Sequence, residues 1–255
     1  MKSKLNARRR EIVEILGREN VVRVAQLSQY FGTSEVTIRS DLMELEQIGV
    51  LERIPGGALQ TLKNYYTMDY HQRKAQNIDE KKRIAEVATS LVKDGETLLI
   101  SAGTTTYYLA LELKKLTNLK ILTNSVSVAT ELGYNPTFKI VLLGGSFNSQ
   151  YLFTYGDDAV EQLRGYRADK LFLSVDGVNV DSGLSTYHAE ESGLVKLMLE
   201  RSSTKIVIAD HSKVGRESYS RLGSLEHIDY FITDKKSDAQ LLKEIRSAGV
   251  EVLQK

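Results

Sequence analysis

The chain has 255 residues, with 34 Lys and Arg against 33 Asp and Glu, four His and no Cys. That length allows a small domain and a larger one, each with its own core, while the missing cysteines and scattered histidines exclude a disulfide framework and a zinc motif, so no metal and no cofactor are expected. No apolar run is long enough to span a membrane, and the start Met1-Lys2-Ser3-Lys4 leads to Arg8-Arg9-Arg10 rather than to the apolar core of a signal peptide; the expectation is a soluble cytoplasmic protein with no membrane partner.

Charge is spread unevenly: residues 1–76 carry 12 Lys and Arg against 9 Asp and Glu, and the remainder 22 against 24. An excess of that size permits nucleic-acid binding without demanding it. The pattern of the first 60 residues is more specific. A helix is predicted over 7–17 with Ile12, Val13, Ile15 and Leu16 on its buried side. A short β-prone stretch at Val21, Val22 and Val24 follows, then a second helix with Ala25, Leu27, Tyr30 and Phe31 apolar. Gly32-Thr33 is a turn, and a third helix starts at Ser34, whose hydroxyl is placed to cap it. Ile38, Leu42 and Leu45 fall on one face, Gly49 ends the helix, and 51–59 reads as a hairpin turning at Pro55-Gly56-Gly57. Helix, turn, helix and glycine hairpin in this order describe a winged helix-turn-helix, whose third helix enters the major groove of duplex DNA. The buried stripe leaves Val36, Thr37, Arg39 and Ser40 outward. They offer a methyl contact for thymine, hydroxyls for base edges or phosphate, and a guanidinium for phosphate or a guanine edge. With Ser34 they form the candidate DNA-binding set, and Arg8, Arg9 and Arg53 are candidate phosphate clamps.

The runs Thr37-Ile38-Arg39-x-Asp41-Leu42, Leu45-Glu46-x-x-Gly49 and Arg53-x-x-Gly56-Gly57-Ala58 resemble the N-terminal signature of the DeoR family of bacterial sugar-metabolism repressors. That family usually carries a second arginine where this chain has Ser40. The position faces outward, so the difference bears on which operator is read rather than on whether DNA is bound.

Residues 61–77 lack clean periodicity and hold Tyr65, Tyr66, Tyr70, His71 and Arg73. They read as a partly packed connection, with tyrosines sealing an interface or packing locally. A helix is expected over 78–93, its acidic first turn suited to the helix dipole. Strands are then predicted at 97–100, 120–122, 139–143, 170–175, 205–209 and 230–233. Helices alternate with them at 105–115, 127–132, 157–163, 189–201 and 239–248. Short buried β runs between helices imply a mainly parallel sheet covered on both faces.

Ligands of such sheets sit beyond the carboxyl ends of the strands. After the first strand, Ser101-Ala102-Gly103-Thr104-Thr105-Thr106 combines a close-approach glycine, threonine hydroxyls and the free N–H groups of a helix start, the chemistry of a phosphate cradle. Successive strand ends carry Thr123-Asn124-Ser125, Gly144-Gly145, Asp176-Gly177, and Asp210 with Lys213. Each alone is an ordinary turn, whereas five together point to a ligand crevice. Lys213 suits a phosphate; Asp176, Asn124 and Glu191 suit hydroxyls. The expected effector is a phosphorylated sugar or sugar alcohol.

These turns, with Asp169-Lys170 and Asp210-x-Ser212-Lys213-x-Gly215, resemble the sensor domain of DeoR-type repressors, which is similar to ribose-5-phosphate isomerase. The isomerase pattern Asp-Gly-Ala-Asp corresponds here to Asp176-Gly177-Val178-Asn179, whose second carboxylate has become an amide unable to take a proton. The lysine that the isomerase places shortly afterwards is missing from 183–189, although Glu190 or Glu191 could stand in for its glutamate. His188 is either a ligand contact or an exposed loop residue. The resemblance thus implies a winged helix-turn-helix at 1–60, a linker at 61–77 and a sugar-phosphate sensor and oligomerisation domain at 78–255. The expected function is repression of a carbohydrate-utilisation operon, with no catalytic residues. The alternative is an aldose–ketose sugar-phosphate isomerase carrying a DNA-binding domain. A homodimer or homotetramer is expected, because operators mirror protein symmetry.

Overall fold

The computed structural model describes residues 5–19, 21–61, 65, 66 and 68–255; the start at 1–4, residue 20, and residues 62–64 and 67 of the expected linker lie outside the described residues. The chain divides into two compact units, Met1–Asn77 and Ile78–Lys255.

The first unit runs α1 (Ala7–Glu19), β1 (Val21–Arg23), α2 (Val24–Phe31), α3 (Glu35–Gln47), β2 (Leu51–Ile54) and β3 (Gly57–Gln60). Its strands form an antiparallel sheet in the order β1-β3-β2. Ile12 and Leu16 from α1 meet Ile38, Leu42 and Leu45 from α3 in a buried core that Leu27, Leu51 and Ala58 complete. Ser34 caps α3 by accepting the Thr37 N–H at 3.2 Å. A Cβ on Gly57 would stand 2.1 Å from the Val22 carbonyl oxygen, so glycine is required where the wing pairs with β1. The described part of 61–77 also packs on this unit. The short helix α4 (Tyr70–Lys74) starts at a capping box of Asp69 and Gln72. The Arg73 guanidinium lies 4.3 Å from the centre of the Tyr65 ring, and the Gln76 side chain donates to the Gly17 carbonyl in α1. Among the described residues of this stretch, Tyr65 and Tyr66 pack around the Arg73 cation.

The second unit opens with α5 (Ile78–Ser90) and continues β4 (Thr97–Ile100), α6 (Thr104–Leu113), β5 (Lys120–Thr123), α7 (Val126–Leu132) and β6 (Lys139–Leu142). A hairpin of β7 (Ser146–Asn148) and β8 (Phe153–Tyr155) leads to α8 (Asp157–Arg164) and β9 (Ala168–Leu173). Then come β10 (Gly177–Asn179), β11 (Gly183–Thr186), α9 (Ser192–Glu200), β12 (Ser202–Ile208), β13 (Ser220–Gly223), β14 (Tyr230–Thr233), α10 (Ala239–Ser247) and β15 (Glu251–Gln254). Seven strands form one parallel sheet in the order β15-β14-β12-β9-β4-β5-β6. Alternation along each strand feeds two cores. Leu98, Ile100, Phe172, Ile206, Ile208 and Ile232 pack under α5, α6 and α7. Leu99, Leu171, Leu173, Val207 and Phe231 face α8, α9 and α10. From β4 the chain winds toward β6, and from β9 toward β15, so the strand order reverses between β4 and β9. That is the topological switch point, where crevices of such sheets open.

Candidate functional sites

On the first unit, α3 presents Val36 with 76 % of its surface exposed, beside the exposed Ser34, Arg39 and Ser40 and the half-buried Thr37. This face has the outward, small and polar character that the pattern predicts. The Ser34 and Thr37 hydroxyls meet at 2.9 Å, and Arg39 is held by Glu35 one turn earlier at 2.9 Å. The three expected phosphate clamps have carboxylate partners instead. Arg8 and Arg9 both donate to Asp41, at 2.5 and 2.7 Å, and Arg9 also grips Glu44. Arg53 is held on the wing by both oxygens of Glu46, through its backbone N–H at 3.0 Å and its Nε at 2.6 Å. Burial pushes the Asp41 carboxyl up, but the bonds from Arg8 and Arg9 outweigh it and hold it below its ordinary value.

At the switch point of the second unit, the loops after β4 and β9 are stitched together. Ser101 Oγ accepts the Ser174 N–H at 3.0 Å, and a Cβ on Gly103 would stand 2.4 Å from that of Ser174. No side chain caps α6, whose opening turn at Thr104, Thr105 and Thr106 begins directly behind Gly103. Thr105 and Thr106 are buried, and the Thr106 hydroxyl returns to the Gly103 carbonyl.

Asn124 departs from its expected role as a hydroxyl ligand. It is fully buried, its Oδ1 accepts the Ala102 N–H at 2.8 Å, and its Nδ2 donates to the Thr154 carbonyl at 3.1 Å. Both ends of the amide are engaged by backbone, and their effect is to lock the cradle loop to the β7–β8 hairpin. Thr123 and Ser125 are likewise internal. The first donates to the Ile100 carbonyl, and the second caps α7 through the Val128 N–H. Gly144 and Gly145 serve close approach of chain to chain. Gly144 N–H donates to Gln162 at 3.0 Å, and a Cβ on Gly145 would stand 2.5 Å from the Tyr155 carbonyl.

Asp176 and Glu191 are brought together. Asp176 Oδ2 accepts the Tyr187 N–H at 2.9 Å, and the Thr186 hydroxyl lies 3.4 Å from it and 3.0 Å from Glu191. His188 is buried, not an exposed loop residue, with the Tyr151 ring 4.1 Å away and Glu190 at 3.5 Å. Asn179 caps the β10–β11 turn by accepting the Asp181 and Ser182 N–H groups at 2.9 and 3.1 Å. Asp169 and Lys170, part of the resemblance, stand at the opening end of β9, bonded to Thr97 N–H and Glu96.

Beyond β12, Lys213 is buried in the turn that Asp210 caps through the Ser212 N–H. Burial pushes Asp210 up, yet Lys213 and Lys81 together hold it far below the usual carboxylate range. Lys81 is the residue that sequence reasoning missed. It lies inside the charged run Asp79-Glu80-Lys81-Lys82, yet it is 3 % exposed. Next to this turn, His211 shares Asp234 through its backbone N–H at 2.7 Å and its Nδ1 at 3.1 Å. Among the described residues no cluster of acids and histidines has the makings of a metal site, and no helix is long and apolar enough to cross a membrane.

Family models describe both units. A DeoR-like helix-turn-helix domain matches residues 8–62, and a DeoR C-terminal sensor domain matches 76–235. The chain is 36 % identical to the HTH-type transcriptional regulator GlpR of Haloferax volcanii over 96 % of each chain. It is 31 % identical to the HTH-type transcriptional regulator GolR of Listeria innocua, covering 96 % of both. With the glycerol-3-phosphate regulon repressor of Escherichia coli the identity is 29 % over 98 % of both. Among solved structures, ribose 5-phosphate isomerase A from Methanocaldococcus jannaschii is similar over 54 % of this chain and 55 % of that one, at 20 % identity and a TM-score of 0.40. The family assignment rests on the domain models and the regulators.

Proposed function

We propose that this chain, which belongs to the DeoR family of helix-turn-helix transcriptional regulators, represses a carbohydrate-utilisation operon and responds to a phosphorylated sugar or sugar alcohol held at the switch point of its second unit. The observation that carries the effector reading is the uncapped start of α6 behind Gly103, on a sheet that also places the buried Lys213 beyond the carboxyl end of β12. Helix N–H groups and a lysine are the recurring recipe for phosphate. In this reading Thr104, Thr105, Thr106 and Lys213 hold the phosphate, with Lys81 adding charge, and Asp176 and Glu191 accept sugar hydroxyls. Asn124 positions the cradle and does not touch the effector. A relative named for glycerol 3-phosphate is consistent with a small phosphorylated polyol.

Sensing rather than turnover fits the residues present. An aldose–ketose isomerase needs a positioned base and a cation to stabilise the enediolate. Here the corresponding second carboxylate is Asn179, whose oxygen is engaged in a turn. The DNA-reading set is Val36, Thr37, Arg39 and Ser40 on α3, in a protein acting as a homodimer or homotetramer. A thermal-shift screen of phosphorylated sugars and polyols against the full chain tests the sensor reading. A bound effector at about 100 times its Kd adds about 2.7 kcal/mol of stability to the native state. Release of an isomerised product from any of them would transfer the protein to the enzyme class.

A further inference from the structure

A helix offered to DNA should not be acidic, and α3 is. Glu35, Asp41, Glu44 and Glu46 stand on it against Arg39, a net charge of −3. Brought beside phosphates, such a helix is repelled unless its carboxylates are covered. The cover is visible. Asp41, with 2 % of its side chain exposed, is held by Arg8 and Arg9. Glu44 is gripped by Arg9 through both guanidinium nitrogens, and Glu46 by Arg53. The remaining acid, Glu35, pairs with Arg39 on the helix itself. Two arginines from α1 and one from the wing thus neutralise three carboxylates, and each of the two helix flanks has its own donor.

We infer that Arg8, Arg9 and Arg53 permit DNA binding as a charge shield over the acidic flanks of the recognition helix, and not as phosphate clamps. This rests on the reading of α3 as the DNA-facing helix. The two roles differ in what happens when the carboxylate is removed together with its arginine. A clamp lost stays lost. A shield is no longer needed once the charge beneath it is gone.

The test uses the full chain and a fluorescent duplex selected from a random-sequence library by the wild-type protein. Arg9→Met and Arg53→Met are each compared with the doubles Arg9→Met/Glu44→Gln and Arg53→Met/Glu46→Gln, Arg8 keeping Asp41 covered in the first. Each single variant is expected to lose about fivefold to tenfold in affinity, and each double to return to within about twofold of wild type, with its salt dependence restored. The Arg53–Glu46 pair bridges the wing and α3 at the surface, so its variants keep the fold even if those at Arg9 do not. Doubles as weak as the singles, with a log–log salt slope shallower by about one, would overturn the shield and restore the clamp. Wild-type protein that enriches no duplex would overturn the underlying DNA reading itself.

Discussion

Asn124→Ala separates a residue that builds the sensor from one that touches its ligand. The wild-type amide is fully buried and bonds the Ala102 N–H at 2.8 Å and the Thr154 carbonyl at 3.1 Å. Removing it orphans a donor on the cradle loop and an acceptor on the β8 strand. Each such group costs about 1–3 kcal/mol, and since Ala102 is only partly buried, the sum for the pair is about 2–4 kcal/mol. For a unit of this size that lowers the melting temperature by roughly 5–15 °C. Differential scanning calorimetry of the full chain should show the drop in the transition of the second unit alone. Asn124→Asp sharpens the test. It keeps the acceptor for Ala102 but aims a second oxygen at the Thr154 carbonyl in a buried place. Its carboxyl is therefore pushed up, and the variant should regain stability as pH falls through that raised value, when a proton supplies the missing donor. An Asn124→Ala chain melting within about a degree of wild type, yet weakened toward effector, would refute the reasoning and return the amide to the ligand.

Lys213→Ala should weaken effector binding about tenfold or more, the loss of a charge-assisted contact, while DNA affinity without effector stays unchanged; calorimetric titration of the best sugar phosphate reads the first and anisotropy the second. The bond to Asp234 raises the His211 pKa against the pull of burial, so its folded value lies above the unfolded one. Its contribution to stability is full below about pH 6.5 and fades as pH rises through the folded value, and the stability gap between wild type and His211→Asn should be larger at about pH 6 than at about pH 8; an equal gap would remove the charged bond. Sedimentation of the full chain at micromolar concentration should give a dimer or tetramer, since a lone winged helix reads too few base pairs to be selective, and a monomer would contradict this.

The N-terminal unit was legible because local signals agreed with one another. Ser34 caps the third helix, the Ile38-Leu42-Leu45 stripe is its buried face, and the hairpin turns at Pro55-Gly56, with Gly57 already in the returning strand. What local signals did not carry is the pairing of charges distant in sequence. Arg8 and Asp41 are separated by 33 positions, and nothing in either neighbourhood announces the other. In the second unit, short buried apolar runs between helices revealed six of the seven parallel strands, and β15 was passed over because Glu251-Val252-Leu253-Gln254 is a short, half-exposed edge. The β7–β8 hairpin and the β10-β11-β13 sheet escaped notice because three- and four-residue strands carry too little periodicity. Strand-end turns were found correctly as places. Whether Asn124 faces a ligand or the backbone is decided by the hairpin folded over it, which its own neighbours in sequence do not encode. Lys81 shows the reverse case, a lysine in a charged run that tertiary packing buries beside Asp210.

The proposed function couples a phosphorylated ligand on the second unit to DNA binding by the first. The direct measurement is anisotropy of the library-selected duplex, titrated with full chain in the presence and absence of each member of a panel of phosphorylated sugars and polyols. At least one of them is expected to change duplex affinity by about tenfold, a coupling of about 1.4 kcal/mol, and Lys213→Ala to abolish that change while leaving the ligand-free affinity intact. An affinity for duplex that no phosphorylated compound alters would contradict it.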